Sequence, residues 1–258
     1  MKNIAIVTGA SSGLGRAYAG HLDQGALGEL DEIWAVARRG ERLEALARTC
    51  KTTVVPLALD LTKKSSIRAL AQRLDAEGNV NVRVLVNCAG FGTFGDFALY
   101  EPGKTSQMVE LLMRAPVELI YESLPYMHAG SRIVNIASVA AFIPQPRLAL
   151  YSACKRFVLD LSRSLDAELG EVGIHVTAVC PKFMRTEFLD HAQDDESARK
   201  MCVIGFEDQQ RVVRKSLESA RRGKSLCIPS ADMKALYAVS RVCPYKAALA
   251  IERLIGAL

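Results

Sequence analysis

The chain runs to 258 residues, half of them hydrophobic and 24% charged, proportions that bury a sizeable core within one α/β domain and leave no disordered or low-complexity tract. A formal charge of +5 is mild, and the densest basic stretch, 211–224, is interrupted by Glu218 and aliphatic residues at helical spacing; it reads as a solvated helix face and lacks the aromatic platforms of a nucleic-acid surface, though attraction of an anionic substrate or carrier stays open. No run approaches the roughly 18 apolar residues of a membrane span, and the cysteines form no Cys-x-x-Cys pair, so no metal site is expected and reduced thiols in a cytoplasmic location fit best.

Short aliphatic or β-branched runs then recur along the chain: Asn3–Thr8, Glu32–Ala37, Thr53–Leu57, Arg83–Val86, Arg132–Ala137, His175–Val179 and Ser225–Ile228. Several are apolar throughout, as strands buried on both faces must be, and most of the intervening segments are long enough for crossover helices. The pattern predicts one doubly wound, Rossmann-type parallel sheet of about seven strands with helices on both faces, forming a single domain over 1–258. Within it, 186–206 carries a polar acidic run, Gln193 to Glu196, and reads either as a lid over the ligand site or as an ordinary surface helix. The tail 231–258 keeps helical periodicity, broken at Pro244, suited to core packing or subunit contact.

The first strand leads straight into Thr8-Gly9-Ala10-Ser11-Ser12-Gly13-Leu14-Gly15, and a helical pattern begins near Arg16. Glycines permit the tight turn and let backbone approach a pyrophosphate, whose charge is favoured by the free N–H groups and positive end of the following helix. Gly9, Ser11, Ser12, Gly13, Leu14 and Gly15 are therefore the candidate dinucleotide-binding residues. At the end of the second strand, where a site for NAD usually places a carboxylate for the ribose hydroxyl, stands Ala37, followed by Arg38 and Arg39. Two guanidinium groups suit a 2′-phosphate, so NADP is expected over NAD.

The segments TGASSGLG (8–15), NCAG (87–90), Ser138 and YSACK (151–155) together resemble, in order and spacing, the short-chain dehydrogenase/reductase family. The resemblance covers essentially the whole chain, including Asp60-Leu61 after the third strand and Pro181 to Thr186 after the sixth. It implies an NADP-dependent oxidoreductase interconverting a ketone and a secondary alcohol, with Ser138, Tyr151 and Lys155 catalytic. Asn87, Ala89 and Gly90 would support the sheet and line the adenosine side of the cleft, while Asp60, Leu61, Pro181 and Thr186 would contact the cofactor. A homodimer or homotetramer is implied in the same way.

The chemistry accounts for the spacing. Tyr151 and Lys155 stand four apart on a helical pattern and so project from one face. A phenol of pKa about 10 is a poor base near neutrality, and an ammonium beside it is expected to lower that value, letting Tyr151 exchange a proton with the substrate oxygen. Ser138 would hydrogen-bond the same oxygen and stabilise developing charge. By the resemblance, Lys155 also holds the nicotinamide ribose.

Three positions depart from the family pattern. Cys88 replaces a second asparagine and reads as a packing change, as does the thiol of Cys154 within the helix. Leu112 stands where the family has a helical asparagine supporting a water that links the lysine to solvent; Pro116, having no N–H, is expected to free the Leu112 carbonyl for that task. Lys182 replaces a glycine after Pro181 and reads as solvent-directed. Phe91, Phe94, Phe142, Ile143, Phe183 and Met184 are candidate walls of an apolar substrate pocket, fitting a ketone or secondary alcohol with an apolar body such as a hydroxysteroid. A 3-oxoacyl-carrier-protein reductase and a non-catalytic NADP(H)-sensing protein are the competing readings.

Overall fold

The computed structural model describes residues 1–185, 187, 205–243 and 247. Seven parallel strands form one sheet: β1 (Lys2–Thr8), β2 (Glu32–Ala37), β3 (Thr53–Ala58), β4 (Val80–Asn87), β5 (Arg132–Ile136), β6 (His175–Val179) and β7 (Leu226–Cys227). Their order is β3-β2-β1-β4-β5-β6-β7. The chain thus winds outward from β1 in one direction and then, from β4, in the other, and the reversal opens a crevice at the carboxyl ends of β1 and β4.

Helices α1 (Gly13–Asp23), α2 (Gly40–Ala47), α3 (Lys64–Glu77), α4 (Pro102–Val109), α5 (Ala115–Ser123), α6 (Ala149–Leu169), α7 (Gln209–Arg221) and α8 (Ala231–Ser240) are joined to this sheet. Alternation along β1 divides the core. Ala5 and Val7 face a layer with Leu14, Tyr18 and Leu22 of α1 and Val212, Val213 and Leu217 of α7. Ile4 and Ile6 face the other side, with Leu70 and Leu74 of α3 and Leu119 of α5. The basic stretch 211–224 is mostly α7, whose apolar stripe is buried, so its charges do decorate the outer face of a core helix.

All seven sequence-predicted strands are present, and two keep their expected bounds, Glu32–Ala37 and His175–Val179. The fourth begins earlier than Arg83 because Asn81, which breaks the apolar pattern, is buried and donates its amide to the Asn3 side chain at 2.9 Å across the sheet. The expected lid lies almost wholly outside the described residues, as does Thr186, and of the tail, 244–258 does so apart from 247. Among the described residues no helix is long and apolar enough to cross a membrane.

Leu70 on α3 is fully buried, so Leu70→Ala is expected to lower unfolding stability by about 2–5 kcal/mol in urea titration. Leu99→Ala, at an 81% exposed position, should change it by less than about 0.5 kcal/mol; equal effects would contradict this core.

Candidate active site

β1 ends at Thr8, whose hydroxyl donates to the Val86 carbonyl at 3.2 Å and accepts the Cys88 and Ala89 amides at 2.9 and 3.0 Å. One side chain therefore ties the end of β1 to the end of β4. The chain turns at Gly9 with φ +70°, where a Cβ would stand 2.9 Å from the Ala89 Cα. A Cβ on Gly15 would collide with the Gly9 carbonyl. Only glycine satisfies both the left-handed φ at residue 9 and the close passes of the two backbones. Ser12 caps α1 without giving its hydroxyl to the first turn, so the positive end of the helix opens into the crevice.

The crevice is a cavity of about 410 Å³. Bordering it are Gly9, Ser11, Ser12, Gly13, Leu14, Gly15, Arg38, Arg39, Asp60, Leu61, Ala89, Gly90 and Pro181, together with Ser138, Tyr151 and Lys155. Among the described residues the structure therefore brings together every sequence-predicted site residue except Asn87, which borders a smaller cavity behind; Thr186 lies outside the described residues. Asp60 accepts from the Thr62 amide and hydroxyl at 3.1 and 2.8 Å. Burial opposes its charge, but those hydrogen bonds and the nearby Arg38 and Lys63 prevail and hold its carboxyl below the usual range.

At the end of the crevice beside β2, Arg39 donates to the Ser11 hydroxyl at 3.1 Å and to the Ser12 hydroxyl at 2.9 Å. It also pairs with Glu187 at 2.8 Å, and Arg42 pairs with the same carboxylate at 2.5 Å. Sequence reasoning missed both Arg42 and Glu187. Arg42 was findable, one turn beyond Arg39; Glu187 was not, because only the fold brings the segment after β6 to the end of β2. Arg38 is exposed on the cavity rim.

At the other end, Tyr151 and Lys155 lie on buried turns of α6. Lys155 donates to the Ile136 carbonyl at 2.6 Å, and its ammonium is 5.5 Å from the centre of the Tyr151 ring. Burial brings the Lys155 pKa down to about 8, so the side chain is mainly charged at neutral pH. Tyr151 shares a hydrogen bond with Ser138. The expected lowering of its pKa is corrected by the structure: burial dominates and raises it well above the ordinary phenol, with the Ser138 bond working only partly against it. The phenol is thus held protonated, as a hydrogen-bond donor or acid.

Behind Lys155 a chain of hydrogen bonds has a fixed direction. Ser162 donates to the Val158 carbonyl, which cannot donate back; Asn135 then donates to Ser162, and Asn87 to the Asn135 carbonyl oxygen. Asn87 therefore turns its own oxygen away from Asn135, and that buried atom meets no partner among the described residues. Asn87, Leu112, Pro116 and Lys155 border a cavity of about 20 Å³, room for about one water. The helix alongside widens into a π turn over Glu110–Arg114, immediately before the proline that has no N–H for the Leu112 carbonyl.

Two further expectations are corrected. Lys182 is not solvated: its side chain is 11% exposed and its ammonium pairs with Asp232 of α8 at 2.6 Å. Phe142 and Ile143 are buried and do not border the cavity, Phe142 packing instead on Tyr237 and with Val158 and Leu159. Phe91, Phe183 and Met184 do border it, and Phe94 stands against Phe183 at 6.3 Å between ring centres. Burial pushes the Cys88 thiol up to about 12 and raises that of Cys154, which makes both poor nucleophiles. Among the described residues no cluster could hold a metal ion.

A doubly wound sheet with a glycine turn at its reversal point and a Ser-Tyr-Lys trio across the crevice defines an oxidoreductase of nucleotide-binding type. The short-chain dehydrogenase family model matches residues 3–197, and the chain belongs to that family. It is 30% identical to an uncharacterised oxidoreductase of Staphylococcus epidermidis, over 72% of this chain and 79% of the relative. Among solved structures, a short-chain dehydrogenase from Sphingobium yanoikuyae in complex with NADPH is 28% identical, with a TM-score of 0.78 over 99% of this chain and 96% of that one. A bulky-bulky ketone specific alcohol dehydrogenase from Comamonas testosteroni is 28% identical, with a TM-score of 0.73 over 93% and 92% of the two chains.

The buried phenol predicts a spectroscopic outcome. In the difference between wild type and Tyr151→Phe, the phenolate absorption band should stay absent up to pH 10; ionisation with a midpoint below about 9 would contradict the protonated resting form.

Proposed function

We propose that this chain is an NADP-dependent oxidoreductase that interconverts a ketone and a secondary alcohol, with Tyr151 as the acid/base. The observation carrying this reading is that the Ser138–Tyr151–Lys155 trio and the glycine turn with its arginines border one continuous cavity. The residues fit a phosphorylated dinucleotide. Gly9 and Gly15 leave a cradle that a Cβ would fill, α1 directs an uncapped N-terminus into it, and Arg39 and Arg42 already hold an anionic group beside Ser11 and Ser12. A bound nicotinamide would supply or accept the hydride.

The chain's own groups manage the proton. Tyr151, kept protonated by burial, gives its proton to the carbonyl oxygen during reduction and takes it back during oxidation. The Ser138 hydroxyl bonds the same oxygen, replacing its present bond to Tyr151 with one that grows stronger as charge develops. Lys155 is anchored by the Ile136 carbonyl and keeps two further donors. One suits the ribose next to the reacting ring, and the other suits a water bound between Asn87 Oδ1 and the Leu112 carbonyl. That water would start the proton's path to solvent in place of the asparagine that Leu112 replaces.

Phe91, Phe183 and Met184 give the open side of the cavity an apolar wall, which favours a substrate with an apolar body. The Comamonas testosteroni enzyme specific for bulky ketones supports the same substrate class.

With NADPH and a panel of apolar ketones, Tyr151→Phe should lower kcat by about 10²–10⁴-fold while leaving NADPH affinity within about twofold. Turnover unaffected by that change would sink the assignment. For the reduction, kcat/KM should fall as pH rises through about 8, where Lys155 loses its charge; the sign follows because a neutral amine has only two N–H groups, too few to serve the Ile136 carbonyl, the ribose and the water together. A profile flat across that range would rule out a role for the charged form.

A further inference from the structure

The carboxylate of Glu187 lies against the groups that a 2′-phosphate would need. It pairs with Arg39 at 2.8 Å and Arg42 at 2.5 Å, while Arg39 is braced by Ser11 and Ser12 at 3.1 and 2.9 Å. Glu187 comes from the segment after β6 and the two arginines from the end of β2 and the start of α2, so these ion pairs cross the carboxyl edge of the sheet. Glu187 also borders the cavity itself. Its carboxyl is held down at about 2, first by Arg42 and then by Arg39. It is therefore an anion at every working pH.

We propose that Glu187 is a specificity-determining residue for the cofactor: an internal carboxylate that fills the 2′-phosphate subsite formed by Arg39, Arg42, Ser11 and Ser12, and that must be displaced by NADP(H) but not by NAD(H). This inference rests on the NADP reading given above and adds a competitor to it.

The physical grounds are charge and exposure. Both arginines and Glu187 are about two-fifths exposed, so each pair is screened and contributes little to stability. A phosphate dianion brings more charge and three acceptor oxygens to the same donors, so it displaces a single carboxylate. The displaced Glu187 would then repel the phosphate if it stayed close, so the protein's affinity for a phosphorylated ribose is lower than its two arginines alone would give. A plain ribose demands no such exchange. Its 2′-hydroxyl can donate to a carboxylate there, which Ala37 cannot provide from the end of β2. Glu187 thereby narrows the difference between the two cofactors.

The test uses the full chain and two fragments that isolate the subsite, adenosine 2′,5′-bisphosphate and adenosine 5′-monophosphate, titrated calorimetrically alongside NADPH and NADH. Glu187→Gln keeps the size of the side chain and removes its charge. It should tighten the bisphosphate and NADPH by about fivefold, the scale of two exposed ion pairs, and change the monophosphate and NADH by less than about twofold. An unchanged ratio of the two fragments, or equal tightening of both, overturns the proposal. Arg39→Ala separates this from failure of the NADP reading. If Arg39→Ala weakens the bisphosphate while Glu187→Gln leaves it unchanged, Glu187 has no such role although the phosphate subsite stands. If wild type does not favour the bisphosphate and Arg39→Ala leaves both fragments alone, the NADP reading fails and this one falls with it.

Discussion

A lysine ammonium buried to 6% exposure is costly unless it is met by acceptors, and much of this site is arranged around meeting one. Lys155 reaches from α6 to the Ile136 carbonyl at the end of β5, so the charge itself fixes the helix against the sheet. Tyr151, one turn earlier, inherits its position from that anchor, and Ser138 follows β5 by two residues. The chain of amides from Ser162 through Asn135 to Asn87 orients one more acceptor toward the same region. Burial thus sets both protonation states together, lowering the lysine and raising the phenol.

The opposite end of the crevice works by backbone and exposed charge. Thr8 joins β1 to β4, Gly9 passes within Cβ distance of Ala89, and the N-terminal end of α1 opens into the crevice without a side-chain cap. The arginines beyond it are partly exposed, and one carboxylate, that of Glu187, pairs with both. The two ends of the crevice are therefore built differently, one by fixed backbone and the other by side-chain ion pairs.

The sheet and the Ser138–Tyr151–Lys155 trio were readable in the sequence because each rests on a local signal: continuous aliphatic runs for strands buried on both faces, glycines at a strand-to-helix turn, and a Tyr and Lys one helical turn apart. What the sequence hid depends on distant partners. The Lys182 ammonium meets Asp232 fifty positions away, and Glu187 meets Arg39 and Arg42 across the sheet edge. Phe142 and Ile143 follow β5 yet are buried away from the cavity, Phe142 against Tyr237, after the short helical turn at Val139–Ala141. The phenol's pKa lies on the other side of the ordinary value because burial, which sequence spacing does not report, outweighs the Ser138 hydrogen bond. Near Pro116 the structure adds a π turn over Glu110–Arg114 that no local signal announced.

Isotope transfer tests the central claim most directly. NADPH carrying deuterium on one face of C4 of the nicotinamide would be incubated with the protein and an apolar ketone, and the alcohol analysed by mass spectrometry. The account predicts deuterium at the carbinol carbon from one face only, in wild type and not in Tyr151→Phe. A protein that binds NADPH yet transfers no label to any ketone, or transfers it equally well without the Tyr151 hydroxyl, would contradict it.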